Sequence, residues 1–131
     1  MEINGEVHEP MKAQDSIVSH RSYPLTNYES GINSSLRLTG ARLSAVIQLK
    51  FYKLNFAAGC GDSLYLVGVA NRFRKQVAVC DKDPSLLERW TDYRVISSDL
   101  TFNFVSTSRE GGLGFRLDYR GKLLYRYVDI V

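Results

Sequence analysis

From Leu36 onward apolar residues recur at alternate positions in short runs, and this period of two is the pattern that most limits what the chain can become. Ala45, Ile47, Leu49 and Phe51 alternate with other residues, as do Leu100, Phe102 and Phe104, while Phe115, Leu117 and Tyr119 alternate with Arg116, Asp118 and Arg120. Side chains two apart lie on one face of a strand, so each run predicts a strand with one buried face and one wet face. Leu36 with Leu38 predicts another. Leu64 and Leu66, continued by Val69, and Val77 with Val79 predict a hairpin across the polar tip Asn71-Arg72-Phe73-Arg74-Lys75. Such strands cover their apolar faces best against one another. The chain therefore predicts an all-β fold, a two-sheet antiparallel sandwich.

The rest of the chain supports one domain. Its 131 residues have room for one core, on which roughly two-thirds of the unfolded surface is buried. Residues 1 to 20 are polar and acidic, show no period of two or 3.6 up to residue 16, and contain Pro10, which predicts a tail or linker. The sandwich is expected over residues 21 to 121, with residues 122 to 131 forming an extension or an edge strand. Only Pro84 to Tyr93 leans towards helix, for one or two turns, because Ser85 and Glu88 have the spacing of a capping box. Trp90, with Leu86 and Leu87, is either a core plug or an exposed interface anchor, and burial of large apolar residues in a small domain favours the core. Gly111, Gly112 and Gly114 predict a hairpin turn.

Charge narrows the partners without naming one. The formal net charge is +3, yet residues 1 to 15 hold Glu2, Glu6, Glu9 and Asp15 against Lys12 alone, leaving 16 cations and 10 acids for the remainder. A mildly basic body attracts acidic proteins, sulfated glycans or anionic headgroups. It lacks the dense basic stripe with interleaved aromatics that nucleic-acid binding requires. No apolar run reaches the ~20 residues that cross a bilayer, and the first 15 residues carry no secretory signal pattern.

Catalytic and metal chemistry find little footing. His8 falls in the expected tail and His20 before the first expected strand, so neither is placed beside a nucleophile on a rigid element, and His20 is expected to be solvated. Cys60 and Cys80 form no C-x-x-C pair and have no histidine at metal-ligand spacing. The glycine-rich stretch leads to a strand, not to a helix terminus that would cradle phosphate. An enzyme is not expected, and no cofactor is implied. Arg72, Phe73, Arg74 and Lys75 gather three cations around one ring, either a contact for an acidic partner or sulfated glycan, or a soluble hairpin tip with the ring tucked against the sheet. Asn33-Ser34-Ser35 satisfies the N-glycosylation triplet, which expects Asn33 at the surface.

The order of elements between residues 23 and 120 resembles the CUB family of extracellular β-sandwich domains. The resemblance is carried by Tyr23-Pro24 and Asn27-Tyr28, by the strand Ile47, Leu49 and Phe51, and by Phe104-Val105-Ser106, Ser108, Gly114-Phe115 and Tyr119. It implies a jelly-roll-like sandwich and places Cys60 and Cys80 where the family has its second disulfide, although two separate buried thiols fit the residues as well. Such a bridge would close about 20 residues and stabilise by about 3 kcal/mol. The family's first cysteine pair is absent, with Ser34, Ser35 or Leu36 near where its second member would lie.

Many members bind calcium through a glutamate and two aspartates, and the corresponding positions here are Ala57, Asp62 and Thr107. Calcium takes six to eight oxygen ligands, so Asp62 alone implies no high-affinity site and is expected to cap a turn. The resemblance implies a non-enzymatic, extracellular or secreted module that recognises another protein, cut from a larger secreted or membrane-anchored chain. The missing signal is then explained if Met1 begins a fragment. An alternative is a stand-alone secreted protein that binds glycans, similar to the spermadhesins.

Overall fold

Alternation along the strands is realised as burial in a computed structural model, which describes residues 1–56, 60–71, 77–80, 84–107 and 111–121. Ten strands occur among them: β1 (Glu6–Pro10), β2 (Gln14–Val18), β3 (Asn33–Thr39), β4 (Val46–Asn55), β5 (Ser63–Val67), β6 (Val69–Ala70), β7 (Ala78–Val79), β8 (Trp90–Val95), β9 (Asp99–Val105) and β10 (Gly114–Gly121). They build two five-stranded sheets, one in the order β1-β3-β9-β5-β7 and the other in the order β2-β10-β4-β8-β6. Every odd-numbered strand lies in the first sheet and every even-numbered one in the second. Each connection between successive strands therefore crosses the sandwich. Pairing is antiparallel except where β1 runs parallel to β3.

The core forms between the sheets. Leu36 and Leu38 of β3 and Leu100, Phe102 and Phe104 of β9 face Ile47, Leu49 and Phe51 of β4 and Phe115, Leu117 and Tyr119 of β10, all of them buried. These are the residues that the period of two selects. Tyr119 keeps its hydroxyl oxygen as acceptor for the Lys12 backbone N–H at 3.1 Å. Burial pushes its phenol above the ordinary range, opposed by that hydrogen bond.

Residues 1 to 20 correct the expected tail. β1 pairs with β3 from Glu6↔Ser35 to Pro10↔Thr39, and β2 pairs with β10 from Gln14↔Arg120 to Val18↔Arg116. Ile3 and Ile17 are buried. The period is invisible because both are outermost strands, held by backbone hydrogen bonds along one side, with most of the β1 side chains exposed and Ile17 the buried side chain of β2. Pro10 ends β1, beyond which Met11 still donates its N–H to the Thr39 carbonyl.

Other expectations change at the sheet crossings. β5 and β7 pair as expected, through Leu64↔Val79 and Tyr65↔Ala78. Val69 belongs to the opposite sheet instead, where it pairs with Val95. The crossing pivots on Gly68, at φ +94°, where an added Cβ would stand 2.3 Å from the Asp99 carbonyl oxygen. The glycines after β9 likewise form no hairpin, because β9 and β10 lie in different sheets. Gly111 and Gly112 thread this crossing against the carbonyls of Tyr28 and Asn55, leaving no room for side chains.

The expected helix shrinks to a single 3₁₀ turn at Pro84–Leu86. Glu88 sits at φ +56°, outside helical geometry, so no capping box forms. Pairing of Trp90 to Arg94 with β4 outweighs the local preference. Leu86 is buried as expected, but Trp90 is only half-buried and lies on the outer face of the second sheet. Among the described residues no helix is long and apolar enough to cross a membrane.

Candidate binding site

At one end of the sandwich a carboxylate ties three segments together. Asp62 is fully buried, accepting the Tyr28 hydroxyl at 2.5 Å on one oxygen and the Thr107 backbone N–H at 2.8 Å on the other. Thr107 in turn donates its hydroxyl to the Gly61 carbonyl at 2.8 Å. Two residues before Asp62 the chain is bridged by the Cys60–Cys80 disulfide, with Cα atoms 5.3 Å apart. That bond settles the alternative of two separate thiols. Asp62 does more than cap its own turn, since it joins the segment entering β5 to the segment leaving β9 and to the Tyr28 loop.

Beneath it lies an aromatic cluster. The Phe104 ring is 4.9 Å from Tyr28, 5.5 Å from Phe56 and 5.5 Å from Phe115, the first and last edge-on. Edge-to-face contacts place the positive rim of one ring on the negative face of another.

The calcium positions do not reproduce a calcium site. Ala57 lies outside the described residues. Both oxygens of Asp62 already accept hydrogen bonds, and the Thr107 hydroxyl is spent on a carbonyl. Among the described residues no group of three or more His, Cys, Asp or Glu side chains could hold a metal. The described residues offer Asp62 as a single carboxylate, where the ion takes six to eight oxygen ligands.

His20 is buried, correcting the expected solvated residue. Its Nε2 donates to the Thr26 carbonyl at 2.7 Å, and its Nδ1 accepts the Ser19 hydroxyl at 2.6 Å. The same Ser19 oxygen accepts the Phe115 backbone N–H at 3.1 Å. This chain fastens the segment after β2 onto β10. Gly114 makes it possible: it sits at φ +95°, and an added Cβ would be 1.9 Å from Ser19 Oγ. Gly114→Ala is expected to destabilise by at least about 2 kcal/mol, from left-handed strain and a displaced hydroxyl. Gly121→Ala, which meets nothing within 4 Å, should stay within about 0.5 kcal/mol, and urea titration of both variants checks the contrast.

Two surface expectations meet different outcomes. Asn33 opens β3 with its side chain exposed, accepting from the Asn103 amide at 3.1 Å. Arg72, Phe73, Arg74 and Lys75 lie outside the described residues.

Sequence reading missed a surface on the second sheet. There the Arg120 guanidinium carbon stands 3.9 Å from the centre of the Trp90 ring system, and that of Arg116 is 4.8 Å from the Tyr52 ring. Lys50 Nζ lies between the two, 5.0 Å from Tyr52 and 5.8 Å from Trp90. Such approaches are attractive because each ring face carries partial negative charge. The signal available in sequence was the outward half of each alternation, but the three strands involved are far apart along the chain.

No protein-family model matches the sequence, and no curated protein matches it. Solved structures do match by shape. The CUB1-EGF-CUB2 region of human MASP-1/3 superposes with a TM-score of 0.62 at 15% identity, over 87% of this chain and 41% of that one. The full extracellular region of zebrafish Gpr126/Adgrg6 gives 0.58 at 15% identity, over 92% of this chain and 15% of that one. The MASP-1 CUB2 domain bound to Ca2+ gives 0.59 at 18% identity, over 86% of this chain and 96% of that one. The chain thus spans less than half of the first two structures and nearly all of the isolated domain. With its alternating crossings and two five-stranded sheets, this chain has the CUB-like jelly-roll sandwich fold.

Proposed function

We propose that the chain is a non-enzymatic, extracellular protein-recognition module belonging to a larger secreted or membrane-anchored protein. The observation that carries this reading is the likeness to a lone CUB domain, which covers 86% of this chain and 96% of that domain. A disulfide that clamps the chain favours an oxidising compartment. Ser19, the hydroxyl that meets a histidine, is fully buried and engaged with backbone, a fastening and not an exposed nucleophile. Asn33, exposed at the start of β3, is an available acceptor for an N-linked glycan.

The test is to secrete the chain from eukaryotic cells, tetramerise it and stain a panel of cell types. Staining lost after trypsin and kept after heparinase supports protein recognition. Staining lost after heparinase instead supports the glycan-binding alternative, with Arg72, Arg74 and Lys75 the residues to neutralise. Intact mass after alkylation should show two labels only after reduction, and labels gained without reduction would count against the extracellular reading.

A further inference from the structure

The two outer faces of the sandwich differ in chemistry. On the first sheet Arg37 of β3 pairs with Asp99 of β9 at 3.6 Å, and around it stand Ser35, Thr101 and Asn103, with the acid Glu6 on β1. On the second sheet the outward positions of β4, β8 and β10 bring together Lys50, Arg94, Arg116 and Arg120, with Asp92 and Asp118 between them. Both acids are engaged. Asp118 accepts the Ser16 hydroxyl at 2.5 Å and lies 3.9 Å from Arg116, while Asp92 accepts the Gln48 amide at 2.7 Å. Gln48 accepts Arg120 Nε at 2.9 Å, a bond that uses one of the five N–H donors of that guanidinium. Among the described residues neither Lys50 nor Arg94 has a carboxylate within ion-pair reach.

Resting on the protein-recognition reading, we infer that the outer face formed by Lys50, Tyr52, Trp90, Arg116 and Arg120 is the docking surface, and that its partner is a protein segment presenting carboxylates beside an aromatic side chain. Arginine, tyrosine and tryptophan are the side chains that concentrate binding energy at protein interfaces. Here the cations are already held over the rings, so less side-chain freedom is lost when a carboxylate meets them. The rings supply flat apolar area next to the charges. Charge spacing selects a protein over a sulfated glycan. Asp92 and Asp118 are interleaved with the cations on strands about 4.8 Å apart, and a continuous polyanion laid across the face would meet both acids. Discrete carboxylates avoid them.

The experiment measures binding of the full chain to a random copolymer of glutamate and tyrosine, to polyglutamate and to heparin at about 0.15 and about 0.5 M salt. Saturable binding to the copolymer, tighter than to polyglutamate and weaker in high salt, is expected. Lys50→Gln and Arg120→Gln should each weaken it several-fold and together about tenfold or more, whereas Arg37→Gln on the opposite face should change it less than about twofold. Tyr52→Ala, at a partly exposed position, removes a ring without touching the core and should abolish the preference for the copolymer over polyglutamate. Equal weakening by Arg37→Gln would overturn the inference in favour of diffuse charge. Heparin binding lost in Lys50→Gln and Arg120→Gln, with copolymer binding unchanged, would overturn it in favour of a glycan face. Absence of copolymer binding while the tetramer still stains cells in a trypsin-sensitive manner would remove this docking surface and leave the protein-recognition reading standing; loss of both would remove both.

Discussion

Phe104→Ala is expected to lower stability by about 4 kcal/mol and the melting temperature by on the order of 15 °C. Phe104 is completely buried in β9 and touches the rings of Tyr28, Phe56 and Phe115, which come from the loop before β3, the end of β4 and β10. Truncation removes the hydrophobic transfer energy of the ring. It also leaves a cavity whose walls belong to both sheets and to a loop, so no single element can move in to fill it. Phe104→Leu, which keeps much of the volume, should cost clearly less. Urea titration of the three proteins checks the order. A Phe104→Ala variant within about 1 kcal/mol of the parent would mean that this end of the sandwich is not tightly packed.

Asp62→Ala is the second large effect, about 3 kcal/mol. The substitution strips an acceptor from the Tyr28 hydroxyl and from the Thr107 N–H at once. Asp62→Asn should cost less, because one carbonyl oxygen can still accept from Thr107. Combining Asp62→Ala with Tyr28→Phe separates the two bonds. The double variant should be less destabilised than the sum of the singles, since the hydroxyl that loses its Asp62 acceptor in the first change is removed by the second. Strict additivity would show that the Tyr28 bond contributes nothing of its own. This network joins two of the positions, Asp62 and Thr107, where the family resemblance put calcium ligands.

The outward residues explain why the docking surface escaped a reading along the chain. Arg116 and Arg120 were legible as the charged face of a strand, and Lys50 and Tyr52 stood at the alternate positions of another. Nothing local says that β4 and β10 are neighbours. Trp90 was harder still, because its surroundings from Ser85 to Glu88 carry helix-start chemistry, and only the backbone partners offered by β4 draw it into a strand. His20 was misplaced for a similar reason. A polar side chain beside an arginine expects water, and it is buried only because Gly114, far along the sequence, lets β10 approach it.

The sequence by itself determined that this is a β protein, which residues face its core, and, through the family resemblance, where Cys60 and Cys80 would meet. Alternation carries that information because a strand's pleat sends successive side chains to opposite sides whatever lies beside it. Tertiary structure alone decided the partners: that consecutive strands occupy opposite sheets, that the first residues close an edge of each sheet, and that cations from β4 and β10 share two rings. The hydrogen bonds joining strands are made by the backbone, which is the same at nearly every residue, so pairing leaves almost no mark on side-chain order. It is chosen by the packing of the whole core.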